Sequence, residues 1–75
     1  MVKKLEKQIK EIDKVIKKGE RIDLMYDGEC IANYTETERT IDSKTPLQWL
    51  RGNICFLVTL KGRDIKKVTL EYHKS

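Results

Sequence analysis

The run from Ile54 to Leu60, Ile-Cys-Phe-Leu-Val-Thr-Leu, holds six apolar side chains in seven positions and no charge. No other stretch of the chain can be buried on both faces. It is short, rich in β-branched and aromatic residues, and bounded by Gly52-Asn53 and Lys61-Gly62, so it reads as a central β-strand. The rest of the chain must then cover that strand.

Size narrows the options further. The 75 residues are expected to make a single domain, 1–75, whose small core only just offsets the cost of ordering the chain, so self-association into a homo-oligomer is expected. The net charge is +4, and Lys3, Lys4, Lys7, Lys10, Lys14, Lys17 and Lys18, set against Glu6, Glu11 and Asp13, account for all of it. The body from Gly19 onward is neutral, so a polyanion would meet the N-terminal segment first.

Cys30, Cys55 and His73 are too few and too scattered for a zinc site, and neither a metal nor a cofactor is expected. No signal-peptide pattern opens the chain and no apolar run has membrane-spanning length. A reducing cytoplasm with free thiols, and no membrane partner, is the expectation. A bridge between Cys30 and Cys55 stays open.

Val2, Leu5, Ile9, Ile12 and Ile16 recur at alternating spacings of three and four and predict a helix over 2–18. Glu6 with Lys10 and Asp13 with Lys17 are favourable i,i+4 pairs, and Gly19 suits the left-handed position after the last turn. The apolar stripe either packs on the chain's own sheet or forms a helix–helix seam with a second chain. Its opposite face carries Lys3, Lys7, Lys10, Lys14 and Lys17.

From Arg21 the period changes to two, and Asp27-Gly28 supplies a type I′ turn, which predicts a hairpin over 20–35. The expected register sets Tyr26 against Glu29, Leu24 against Ile31 and Ile22 against Asn33 on the core face. Met25 then meets Cys30, and Arg21 meets Tyr34, on the other face. Residues 35–44 fit either an exposed strand or a loop. Thr45-Pro46-Leu47-Gln48 is a helix-start pattern and Gly52 a stop, so a short helical turn is expected over 46–51. Trp49 and Leu50 would plug the core there, with a stacking role for Trp49 left open.

A second hairpin is expected over 53–73. A three-residue loop at Gly62 would set Val58 against Val68, Phe56 against Leu70 and Ile54 against Tyr72. The expected fold is therefore α+β: an N-terminal amphipathic helix, then a four- to five-stranded antiparallel, strongly bent sheet or small barrel made of two hairpins with a short helical turn between them.

Two stretches, Ile22-Asp23-Leu24-Met25-Tyr26-Asp27-Gly28-Glu29 and Leu60-Lys61-Gly62-Arg63-Asp64-Ile65, resemble the two halves of the Sm-like small barrel. The resemblance implies a basic-Gly turn between the last two strands that faces a ring pore and holds an RNA base, a role it would carry to Lys61, Gly62 and Asp64. The acidic-Asn signature of that family is absent from Thr35 to Asp42. The order Pro-Leu-x-Trp, apolar strand, Lys/Arg-rich strand also resembles WYL-type ligand-sensing domains, which are small barrels too.

Catalytic chemistry is thinly supplied. There is one histidine, serine occurs only at 43 and 75, and no glycine-rich phosphate loop is present, so a non-enzymatic role is expected. The leading expectation is an oligomeric module for an anionic ligand, either single-stranded nucleic acid (RNA or ssDNA) or a nucleotide. The lysine stripe would bind it with Lys61, Gly62, Arg63, Lys66 and Lys67, and Tyr26, Tyr34 or Trp49 would offer a ring for stacking. The alternative is a phage or mobile-element type inhibitor, an anti-defence protein that binds a host protein or sequesters its nucleotide messenger.

Overall fold

The computed structural model describes residues 3–74. Helix α1 spans Lys3–Val15, and its stripe of Leu5, Ile9 and Ile12 is buried. These side chains pack on the chain's own sheet and on the third helix, so the stripe is not a free helix–helix seam. The helix stops short of residue 18. The Lys17 N–H donates to the Glu20 carboxylate at 2.8 Å, and Gly19 takes φ 89° to turn the chain into the sheet. The expected start at Val2 lies outside the described residues.

Strands β1 (Arg21–Tyr26) and β2 (Glu29–Thr35) form the expected hairpin, with Asp27 and Gly28 at φ 50° and 85° in its turn. Tyr26 meets Glu29 and Met25 meets Cys30, but Leu24 then pairs with Ala32, Asp23 with Asn33, Ile22 with Tyr34 and Arg21 with Thr35. The expected partners Ile31, Asn33 and Tyr34 for Leu24, Ile22 and Arg21 are overturned by a β-bulge at Ile31. One extra residue in β2 moves every later side chain to the other face. Tyr34 thereby enters the core at 0% exposure, and its hydroxyl donates to the Lys44 carbonyl at 2.7 Å.

Ile54 to Leu60 is not a strand. The Thr45 hydroxyl accepts from the Gln48 N–H, and the Gln48 side chain accepts from the Thr45 N–H, a capping box with Pro46 in the first turn. It launches α3 (Pro46–Cys55), which runs on through a wider π-helical stretch, Phe56–Leu60. Gly52 sits inside this helix rather than ending it. Pro46, Leu50 and Leu57 lie at helical spacing and are buried, with Trp49 beside them, so one side of the helix enters the core. The helix ends where Gly62, at φ 62°, lets the Arg63 N–H reach back to the Leu57 carbonyl at 2.9 Å.

Strand β3 (Val68–His73) therefore has no hairpin partner in 53–61. After a 3₁₀ turn at Ile65–Lys67 it joins the free side of β1, with Leu70 opposite Leu24, Tyr72 opposite Ile22 and Val68 opposite Tyr26. The sheet has three antiparallel strands in the order β2-β1-β3 and stays open. The expected four- to five-stranded barrel is overturned, and with it the arrangement that the Sm-like and WYL-type resemblances implied. The segment Leu60 to Ile65 leads out of a helix and does not connect two strands.

Residues 36–42, left open between strand and loop, form a short helix α2 (Glu36–Asp42) with no buried side chain, closed by Ser43 at φ 54°. The result is two layers: the sheet below, α1 and α3 above, and one core between them made by Leu5, Ile9, Ile12, Ile22, Leu24, Tyr34, Trp49, Leu50, Leu57, Val68 and Leu70. Pleating places Arg21, Asp23 and Met25 of β1, with Thr69, Glu71 and His73 of β3, on the opposite, uncovered face.

Candidate functional site

α1 presents four cations along its outer side. Lys3, Lys7, Lys10 and Lys14 follow spacings of four, three and four and line one shallow surface together with Glu6 and Glu11. Lys17 falls beyond the end of the helix and its backbone serves the Glu20 contact instead. Lys3 to Lys14 covers eleven helical steps, roughly 16 Å of helix.

Two of the three acids of α1, Glu6 and Asp13, are spent elsewhere, while Glu11 stays on the lysine surface. Arg51 of α3 donates from Nε to Glu6 Oε2 at 3.1 Å, and Arg39 of α2 pairs with Asp13. Neither makes the i,i+4 pair that the sequence predicted with Lys10 or Lys17. The hydrogen bond from Arg51 holds the Glu6 carboxyl below its ordinary range, and Lys10 adds to the same effect through space. The Arg39 guanidinium is held above its ordinary range, first by the Tyr34 hydroxyl and then by Asp13. Among the described residues Arg21, Arg39 and Arg51 each have a carboxylate within 4.0 Å, and Glu6 and Asp13 pair with arginines and not with a lysine of α1. Four lysines against Glu11 leave that face of α1 with a net positive charge.

The other predicted cations are not gathered there. The Lys67 carbonyl accepts from the Asp27 N–H at 3.1 Å, and the Arg63 guanidinium lies 4.9 Å from the centre of the Tyr26 ring, which puts both at the tip of the first hairpin. The Lys61 ammonium stands 5.5 Å from the Phe56 ring, and Gly62 shapes the helix end. Lys66 alone approaches α1, sharing a groove with Lys4, Gln8 and the β3 residues Val68 to Leu70.

The predicted stacking rings fare worse. Tyr34 and Trp49 are buried, with ring centres 5.7 Å apart, and pack against each other as core. The bulge put Tyr34 there, and the longer helix put Trp49 there. Tyr26 is half-buried under Arg63. No aromatic face adjoins the lysine stripe among the residues that line it.

On the uncovered sheet face, Asp23 is buried under its own partners. Arg21 forks onto it at 2.8 and 3.3 Å, and His73 Nε2 lies 3.0 Å from Oδ2 and 3.4 Å from Glu71. Arg21 holds both oxygens of the Asp23 carboxylate within β1, and the His73 ring of β3 lies beside them. Cys30 and Cys55 are free and exposed. Sequence reasoning missed a different feature: Phe56, Val58 and Leu60 are exposed. Their signal was present, since a helix buried on one side cannot hide seven consecutive residues of which six are apolar.

Among the described residues no helix is long and apolar enough to cross a membrane. A scan against models of protein families, a search of curated sequences and a search of solved structures each found no match.

Proposed function

We propose that this chain is a non-enzymatic binding protein that holds the phosphate backbone of single-stranded nucleic acid against the outer face of α1. The observation that carries the reading is the diversion of Glu6 and Asp13 to Arg51 and Arg39, which leaves Lys3, Lys7, Lys10 and Lys14 in a row against Glu11 alone. Lysines without a flanking aromatic ring contact backbone and do not read bases, so the binding is indifferent to sequence. A mononucleotide offers too few phosphates to span the row and binds far more weakly than an oligonucleotide. The exposed free thiols Cys30 and Cys55 suit a reducing cytoplasm.

The test is a salt titration of oligonucleotide binding. Four lysine contacts to a single strand give a slope of log K against log salt of about −2.8, and the Lys7→Gln/Lys14→Gln variant halves it to about −1.4. A flat salt dependence, or a variant that binds like the parent, rejects the reading. A second reading, an inhibitor or adaptor that docks on another protein, is supported by the exposed apolar end of α3.

A further inference from the structure

The last turns of α3 carry six apolar side chains in the seven positions Ile54 to Leu60, yet the rest of the chain covers only one side. Leu57 is the sole buried residue of Phe56–Leu60, while Phe56, Val58 and Leu60 are 47%, 42% and 72% exposed. A helix apolar all round normally lies inside a larger core. Just before it, α1 and α3 enclose a hollow of about 230 Å³ lined by Glu6, Leu50, Arg51, Ile54 and Cys55. Val58 follows Ile54 and Cys55 by four and three positions and so prolongs the same side of the helix.

Charge narrows the occupant. From Thr45 to Arg63 the chain has no carboxylate, and its charges there are Arg51, Lys61 and Arg63. Across the hollow, Lys3 and Lys10 flank Glu6 on α1 at three and four positions. The hollow's own acid, Glu6, is already held by Arg51, and Lys61 stands by the exposed Phe56 ring, so the cations beside the apolar strip outnumber its free acids. A second copy of this chain would bring the same cations face to face, which is repulsive. Nucleic acid has no aliphatic or aromatic side chain to fill the hollow, and a bilayer takes up apolar groups that project from a surface rather than filling a depression between two helices.

We propose that this face docks an acidic amphipathic segment of a partner protein: an apolar side chain of the segment enters the hollow beside Ile54, its neighbours cover Val58 and Leu60, and its carboxylates meet Lys10 and Lys61. Apolar anchors inside a ring of complementary charge are the usual design of such an interface. The inference goes beyond nucleic-acid binding and does not depend on it, since its apolar anchors belong to α3 and only Lys10 is shared with the lysine row.

The test uses three synthetic peptides of about four helical turns, each with Leu and Phe on one side and with Glu, Gln or Lys on the other, titrated into the intact chain by fluorescence anisotropy. Saturable binding of the Glu peptide is expected, roughly tenfold tighter than the Gln peptide, with none for the Lys peptide. The Val58→Ser/Leu60→Ser variant changes two exposed positions without altering charge. It should keep its circular dichroism and its oligonucleotide affinity yet lose roughly tenfold or more in peptide affinity. Absence of saturable Glu-peptide binding, equal binding of the Glu and Lys peptides, or peptide binding unmoved by the variant overturns the proposal. So does a dimer in sedimentation velocity, or pelleting with phosphatidylglycerol vesicles, if either is abolished by the same variant. Loss of oligonucleotide binding in the parent chain would sink the nucleic-acid reading and leave this one standing.

Discussion

Arg51 Nε and Glu6 Oε2 stand 3.1 Å apart and join α3 to α1 across 45 positions of sequence. The pair does two things at once. It fixes the two helices side by side, and it removes from Lys10 the carboxylate that would otherwise neutralise it one turn away.

The first prediction follows from that exchange. In Arg51→Gln the Glu6 carboxyl loses its hydrogen bond and rises back toward the ordinary value of 4.5. Carboxyl-detected NMR titration reads this directly. A carboxyl lowered on folding adds stability that is present above 4.5 and lost as pH falls through its lower folded value, so acid unfolding becomes less steep in the variant. Glu6 then turns to Lys10, and oligonucleotide affinity falls as well. A Glu6 titration unchanged by the substitution removes the basis of both outcomes.

Tyr72 and Glu20 make a second prediction. The phenol donates to a Glu20 carboxylate that also takes the Lys17 N–H, which pins the end of β3 to the turn after α1. This hydrogen bond, with burial and the nearby negative charge, pushes the Tyr72 hydroxyl up to about 12. Tyrosinate absorbance should show a transition well above the usual 10 that Tyr72→Phe deletes. Because the folded value is raised, the stabilisation is complete below 10 and disappears as pH climbs through about 12. A Tyr72 that ionises at 10 contradicts the bond.

The third prediction separates an internal helix from a seam between chains. Ile9 is 0% exposed and Val15, on the same helix, is 55% exposed. Ile9→Ala should lower stability by about 2–5 kcal/mol in urea titration, while Val15→Ala stays within about 0.5 kcal/mol. Ile9→Asp buries an unpaired charge and unfolds the chain. A folded monomer produced by Ile9→Asp from a folded dimer would mean that the stripe belongs between chains instead.

How much of this was legible follows the reach of each interaction. α1 was readable because its apolar side chains alternate with lysine at helical period, and the hairpin because Asp27-Gly28 specifies its turn within four residues. The bulge at Ile31 was not, since it is decided by Tyr34 meeting Trp49 and the Lys44 carbonyl, partners ten and more positions away. The lysine row was readable as charge, but the reason it keeps a net positive charge was not. Local i,i+4 pairing favoured Glu6 with Lys10 and Asp13 with Lys17, and arginines from two later helices displaced both.

The deepest misreading, a strand for Ile54 to Leu60, supplies the sharpest remaining test. A run that is apolar at six of seven positions shows no period, so strand and helix readings of it are equally consistent with burial, and Gly52 was taken for a boundary. In the fold Gly52 lies mid-helix, without positive φ, and a Cβ added there meets nothing within 4 Å. Gly52→Ala therefore costs no contact and removes backbone freedom from the unfolded chain, so it should stabilise by about 0.5–1 kcal/mol. Thr45→Ala, which removes the hydroxyl that caps Gln48, should destabilise by about 1 kcal/mol. Both are read from thermal or urea unfolding. At a turn leading into a β-strand the first substitution would be neutral or harmful, and the capping hydroxyl would matter only to a single short turn. A destabilised Gly52→Ala chain would restore the strand and remove the exposed apolar helix on which the docking proposal stands.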